Sequence, residues 1–108
     1  MVVDITSIVE FLSENFGVNL TALLADVDPQ TVRRWLRKDT SPREAAERRL
    51  RGAYQAFQLL LPHEAPPTIR AWFMGMNPQL DDQSPAEAIA EDRLRDVMAA
   101  ARAFAAGG

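Results

Sequence analysis

The chain has 108 residues, one histidine, no cysteine and a net charge of −3, with 47% apolar and 25% charged residues. That length fits one compact domain or two very small helical units sharing a core, and the charge content argues against disorder. Disulfides and thiolate chemistry are excluded, no apolar run approaches the ~18 residues of a membrane span, and the N-terminus lacks a signal peptide's basic region, so a small soluble cytoplasmic protein is expected.

Apolar residues recur at helical spacing, and no segment alternates as a half-buried strand would. Ile5, Ile8, Val9, Leu12 and Phe16 predict a first helix that Gly17 closes. Asn19 is the expected cap of a short second helix through Leu20, Leu23 and Leu24. At Asp28-Pro29 a carboxylate can accept orphan amides while proline at the first helical position loses nothing, so a third helix runs from there to about Lys38. Ser41-Pro42-Arg43-Glu44 has the form of a capping box before a fourth helix carrying Ala46, Leu50, Ala53, Tyr54, Phe57 and Leu60 or Leu61. Gly52 inside that helix costs roughly 1 kcal/mol against alanine.

Residues 62–67 hold three prolines and read as a linker. A fifth helix spans about Thr68 to Met74 and stops at Gly75 and the Asn77-Pro78 turn. Ser84-Pro85-Ala86-Glu87 is a second capping box, opening a helical stretch that breaks near Asp92. Leu94, Val97, Met98, Ala101 and Phe104 or Ala105 form the last apolar stripe. The predicted fold is all-α, with six or seven short helices: a helical region 1–61, a linker 62–67 and a C-terminal helical domain 68–108.

Charge is segregated along the chain. Residues 1–28 carry five acids and no base, residues 29–61 eight bases and three acids, and residues 62–108 four bases and seven acids. A basic middle between acidic flanks is the asymmetry that a nucleic-acid contact needs; a solvated helix face laced with i,i+4 pairs is the competing explanation.

The basic middle begins in LTALLADVDPQTVRRWLRK, which resembles an Xre/Cro-type helix-turn-helix with Ala22, Val27, Val32 and Trp35 at its buried positions. The departure is Asp26, where that family usually has glycine; aspartate tolerates positive φ better than most residues. In such a motif Gln30, Arg33, Arg34 and Arg37 would face the major groove, where arginine matches guanine and glutamine adenine. Arg43, Arg48 and Arg49 would hold phosphates, fixing register but not sequence.

From Thr68 to Ile89 the chain packs Trp72, Phe73, Met74, Met76 and Leu80 into one short segment. The pattern Arg-x-Trp-Phe, Asn-Pro-x-Leu and Ser-Pro-x-Glu resembles the toxin-binding domain of the Xre/MbcA/ParS antitoxins, matching at Arg70, Trp72, Phe73, Asn77, Pro78, Leu80, Ser84, Pro85, Ile89, Val97 and Gly107. The resemblance implies an antitoxin of a type II toxin–antitoxin system whose partner is a RES-domain, NAD-consuming toxin, bound stably and blocked. It implies a homodimer or a hetero-oligomer with the toxin, and operator DNA as a second partner. Arg70, Phe73, Met74, Met76, Arg93, Arg102 and the tail beyond Val97 are the contact candidates, while Trp72 and Leu80 are expected in the core. Two departures are Asp92, where the family often has glycine, and the Gly107-Gly108 terminus, which lacks the apolar residues many relatives carry there.

Nothing in the chain suggests catalysis or a cofactor. His63 is the sole histidine, so a zinc site has no partner ligand, and Asp81-Asp82 reads as a solvated pair on a polar loop. Two other readings are a helix-turn-helix transcriptional regulator whose C-terminal domain serves only homodimerisation, and a structural adaptor.

Overall fold

The computed structural model describes residues 2–107, and among them are seven α-helices, one 3-10 turn and no strand. The helices are α1 (Ile5–Phe16), α2 (Val18–Ala25), α3 (Pro29–Leu36), α4 (Glu44–Leu60), α5 (Pro66–Met74), α6 (Pro85–Ala90) and α7 (Leu94–Ala105), with the 3-10 turn at Pro78–Leu80. The all-α expectation holds. Among the described residues no helix is long and apolar enough to cross a membrane.

Local chemistry explains most boundaries. Gly17 sits at φ 84° between α1 and α2, a region that costs residues with a Cβ and not glycine. Asp26 ends α2 in the left-handed conformation, φ 59° and ψ 48°, as its place in the turn requires. Asp28 caps α3 by accepting the Gln30 amide at 2.8 Å, with Pro29 at the first helical position. At α6 the full capping box forms: Ser84 Oγ accepts from the Glu87 amide at 3.1 Å, and Glu87 Oε1 accepts from the Ser84 amide at 2.9 Å. Those bonds, the one to the Ser84 backbone foremost, hold the Glu87 carboxyl below the usual carboxylate range.

Four expectations need correction. Asn19 does not cap α2, because Gly17 turns the chain and the helix starts at Val18. Ser41 does not cap α4: the helix begins at Glu44, Arg43 is the N-cap, and no side chain caps it. The third helix stops at Leu36, since Lys38 has turned to φ 66°. Residues 62–67 are not all linker, because Pro66 and Pro67 are the first two residues of α5, where proline's missing amide is an orphan anyway.

One core serves both halves of the chain. Its centre is α4, whose buried Ala46, Leu50, Ala53, Ala56, Phe57 and Leu60 meet α1 and α2 on one side and α6 and α7 on the other. A string of aromatic rings runs from the N-terminal helices to the last one. Phe11 meets Phe57 edge-on at 4.9 Å, Phe57 meets Phe16 at 5.6 Å, and Phe16 meets Phe73 at 4.8 Å. Phe73 then meets Trp72 at 5.1 Å and Trp72 meets Phe104 at 6.1 Å. Each such pair adds about 0.5–1.5 kcal/mol beyond area burial, so the string ties α1, α4, α5 and α7 into one cooperative unit.

Gly52 has a packing reason for its place in α4. A Cβ there would lie 2.7 Å from Leu94 Cδ1 and 2.9 Å from Cδ2. The missing side chain lets the first residue of α7 close onto α4. A salt-bridged clasp completes that contact. Asp92, in the left-handed region at φ 62°, takes Arg49 Nη2 at 3.0 Å on one oxygen and Arg48 Nη2 at 3.1 Å on the other. Arg49 also donates to the carbonyl of Ala25 at 3.3 Å, so one guanidinium joins the end of α2, α4 and the α6–α7 corner.

Candidate functional sites

Two surfaces gather the side chains singled out in the sequence. The first lies on α3 and the turn into α4. Gln30, Arg33, Arg34, Arg37 and Arg43 are all exposed, while Val32 and Trp35 are buried beneath them. Ala22, 2% exposed, lets α2 cross α3 closely.

These cations are not equivalent. Arg37 is paired with Asp39 at 3.1 Å, and Arg33 donates to Gln30 Oε1 at 3.4 Å. Arg48 and Arg49, expected to hold phosphates, instead hold Asp92, and Arg51 holds Glu47 at 2.8 Å. The Asp92 carboxyl is accordingly pulled below its ordinary value, by the Arg49 hydrogen bond first and the Arg48 bond second. Among the described residues, Arg33, Arg34, Lys38 and Arg43 are the cations of this segment without a carboxylate partner. Two of them, Arg34 and Arg43, border a groove of about 330 Å³ with Thr31, Thr40, Ser41 and the edge of Trp35.

The second surface is formed by α5, the Asn77–Gln83 loop and α7. Met74 and Met76 are 52% and 81% exposed, and a groove of about 270 Å³ opens beside Met76. Trp72, Pro78, Ala100 and Phe104 wall it, with Asn77 and Gln79 at its polar edge. The loop below is closely built. Asn77 Oδ1 accepts the Gln79 amide at 2.9 Å, and Asp81 and Asp82 both take left-handed backbone at φ 57° and 66°. Asp81-Asp82 therefore has a conformational role, because aspartate enters that region more readily than most residues.

Several contact candidates sit elsewhere than expected. Phe73 is fully buried between Phe16 and Trp72, so it is a core residue and offers nothing to a partner. Its position explains this: on a helix begun by Pro66, Ile69 and Phe73 fall four apart on the inner face. Trp72, expected in the core, is only half-buried and forms a groove wall, whereas Leu80 is in the core as expected. Arg70 Nε donates to the carbonyl of Phe16 at 3.3 Å, satisfying the end of α1 with a cation where the helix dipole favours one.

Arg93 is committed within the chain. It reaches Gln83 Oε1 at 2.7 Å, Asp96 at 3.2 Å, and Asp81 and the Leu80 carbonyl at 3.4 Å, which pins the loop to α7. Arg102 is exposed on α7 and has no ion pair among the described residues. Ala100 and Phe104 fall within the expected contact tail beyond Val97, though neither is singled out there individually. Their i,i+4 spacing, with Trp72 and Met76 spaced alike, was the available signal.

No family model matches the chain, and no curated protein matches it. Among solved structures, the chain is similar to a chain of the crystal structure of the M. tuberculosis MbcT–MbcA toxin–antitoxin complex. The likeness has a TM-score of 0.78 at 22% identity and covers 98% of this chain and 97% of that one. The fold is thus shared end to end, from α1 to the close of α7.

Proposed function

We propose that this chain is an antitoxin of the Xre/MbcA/ParS type, which binds a RES-domain toxin and excludes NAD from it. The observation carrying the reading is the fold shared over 98% of the chain with a member of a toxin–antitoxin complex. The Thr68–Ile89 pattern points the same way independently. The contact surface we assign is the α5–α7 groove with Trp72, Met76 and Phe104, together with the exposed Met74 at the end of α5. Aromatic and methionine side chains are what interface centres enrich, and methionine adapts to an irregular partner. Inhibition then needs no chemistry from this chain: a bound helical face occludes a pocket.

The test is co-expression with a RES-domain protein, purification through a tag on this chain, and an NAD-consumption assay before and after the chain is stripped away. Co-elution of a silent enzyme that consumes NAD once freed supports the proposal. Separate elution, or an enzyme equally active with the chain present, overturns it.

A second reading stands beside the first, because Arg33, Arg34, Lys38 and Arg43 on the α3 surface have no carboxylate partner among the described residues. We propose that α2, the Asp26 turn and α3 act as a helix-turn-helix on operator DNA, with Gln30, Arg33 and Arg37 toward base edges. A salt-dependent shift of the chain's own upstream DNA, lost in Arg33→Ala, is the result this requires.

A further inference from the structure

We infer that the groove between α3 and the α3–α4 turn is a phosphate seat, in which Arg34 and Arg43 clamp one oxyanion group from two sides. Thr31, Thr40 and Ser41 line the same groove and supply hydroxyl donors, and buried Trp35 closes its floor with Val27 and Ala46. No acidic side chain lines it.

The charge pairing elsewhere makes this arrangement selective. Every other arginine of the basic segment has a side-chain acceptor, exposed and exchangeable for Arg33 (Gln30) and Arg37 (Asp39), and a carboxylate for Arg48 and Arg49 (Asp92) and Arg51 (Glu47). Arg34 and Arg43 are the two arginines left without one among the described residues, and both border a single cavity. Two guanidiniums, which can only donate, and three hydroxyls, which can turn their O–H inward, make a donor-rich site that suits a group with several acceptor oxygens, and the two positive charges disfavour a cation. Its volume of about 330 Å³ lies at the small end of ligand pockets. The seat takes Arg34 out of the base-reading set and gives it a positioning role.

The phosphate has two sources, the backbone of a DNA duplex or a free phosphorylated small molecule. The inference is independent of the toxin reading and touches the DNA reading only in that choice. The experiment uses the full chain with a short fluorescein-labelled duplex, measured by anisotropy between about 50 and 200 mM salt. In parallel, inorganic pyrophosphate is titrated by calorimetry. Arg34→Gln and Arg43→Gln are compared with Arg95→Gln, an equal charge change on the exposed face of α7, and thermal melts confirm that all three fold.

If the source is DNA, each groove variant reduces the salt slope by about one and weakens every duplex alike, while Arg95→Gln leaves the slope unchanged. If the source is a small molecule, pyrophosphate saturates the wild-type chain and each groove variant weakens it at least tenfold, with no DNA effect. The inference is overturned if the groove variants bind duplex and pyrophosphate as the wild type does, or if the wild type binds neither. Toxin capture is unaffected in every case, so failure here is separate from failure of the antitoxin proposal.

Discussion

Truncating Phe73 to alanine separates a core role from a contact role. The ring is fully buried and lies 4.8 Å from Phe16 and 5.1 Å from Trp72. Removing a buried phenylalanine costs about 3–5 kcal/mol in transfer and cavity terms. A domain of this size has total stability of roughly 5–15 kcal/mol, and each kilocalorie moves the melting midpoint by about 4–8 °C. The Phe73→Ala chain should therefore melt well over ten degrees lower, with a urea midpoint reduced to match. Met76→Ala, at an 81% exposed position, should stay within about 0.5 kcal/mol of wild type. Far-UV circular dichroism during heating and in urea measures both. An unchanged midpoint for Phe73→Ala, combined with loss of toxin capture, would refute the core assignment and restore Phe73 as a contact.

Met76→Glu places a charge in the groove and Met74→Glu one at an exposed position of α5, so both should fold normally yet lower toxin capture in a pull-down by at least tenfold; wild-type capture by Met76→Glu would remove the groove from the interface. Gly52→Ala gains about 1 kcal/mol of helix propensity but displaces the Leu94 methyls, so its net effect should be within roughly 1 kcal/mol. Gly52→Leu cannot be relieved that way and should cost about 1–3 kcal/mol in urea melts, with a wild-type midpoint counting against the α4–α7 contact. The Asp92 carboxyl is lowered from 3.8 by Arg49 and then Arg48. A depressed folded value means that its contribution is full above the unfolded value and is lost as pH falls through the folded one. Asp92→Asn should remove that part of the acid-side slope below about pH 4, and melts in acid buffers that superimpose for the two chains would dismiss the clasp as a stabilising element.

How much of this was legible in the sequence depends on whether a neighbour in the chain decides it. The Asp28 and Ser84 caps, the break at Asp92 and the left-handed Asp26 rest on local hydrogen bonds and φ preferences, and each appears where the residues placed it. At Ser41 the four-residue capping pattern falls two residues ahead of the observed N-cap, Arg43, and no local rule says where Pro42 releases the chain. Phe73 and Trp72 exchanged places because both are large and adjacent. Ile69 and Phe73, four apart, take the inner face of α5, which leaves Trp72 on the groove wall, and only the packing of α5 against Phe16 decides that choice of face. Gly52 looked like a small cost within α4 until Leu94, 42 positions away, was seen to occupy the space. The docking groove was half legible: the methionines stood out by type, but Ala100 and Phe104 belong to it only through the packing of α7.

The basic segment shows why a charge count is a poor guide to a binding face. Residues 29–61 carry a net +5, which reads as a broad electrostatic footprint. Arg48 and Arg49 are turned toward the α6–α7 corner by Asp92, Arg51 is held along its own helix by Glu47, and Arg37 is partly offset by Asp39. What remains is a narrow strip from Arg33 to Arg43 at the α3 end of the molecule. Surface pairs of this kind contribute little stability at physiological salt, yet they still decide which guanidiniums are available. Asp92 stands where the resembled family often has glycine, and that one carboxylate turns two candidate phosphate contacts into a clasp on the C-terminal half. Under the proposed function, nucleic-acid contact would rest on this strip and toxin contact on the α5–α7 groove. In that proposed reading the two partners would not compete, because unpaired charge and exposed apolar surface are sorted to different helices.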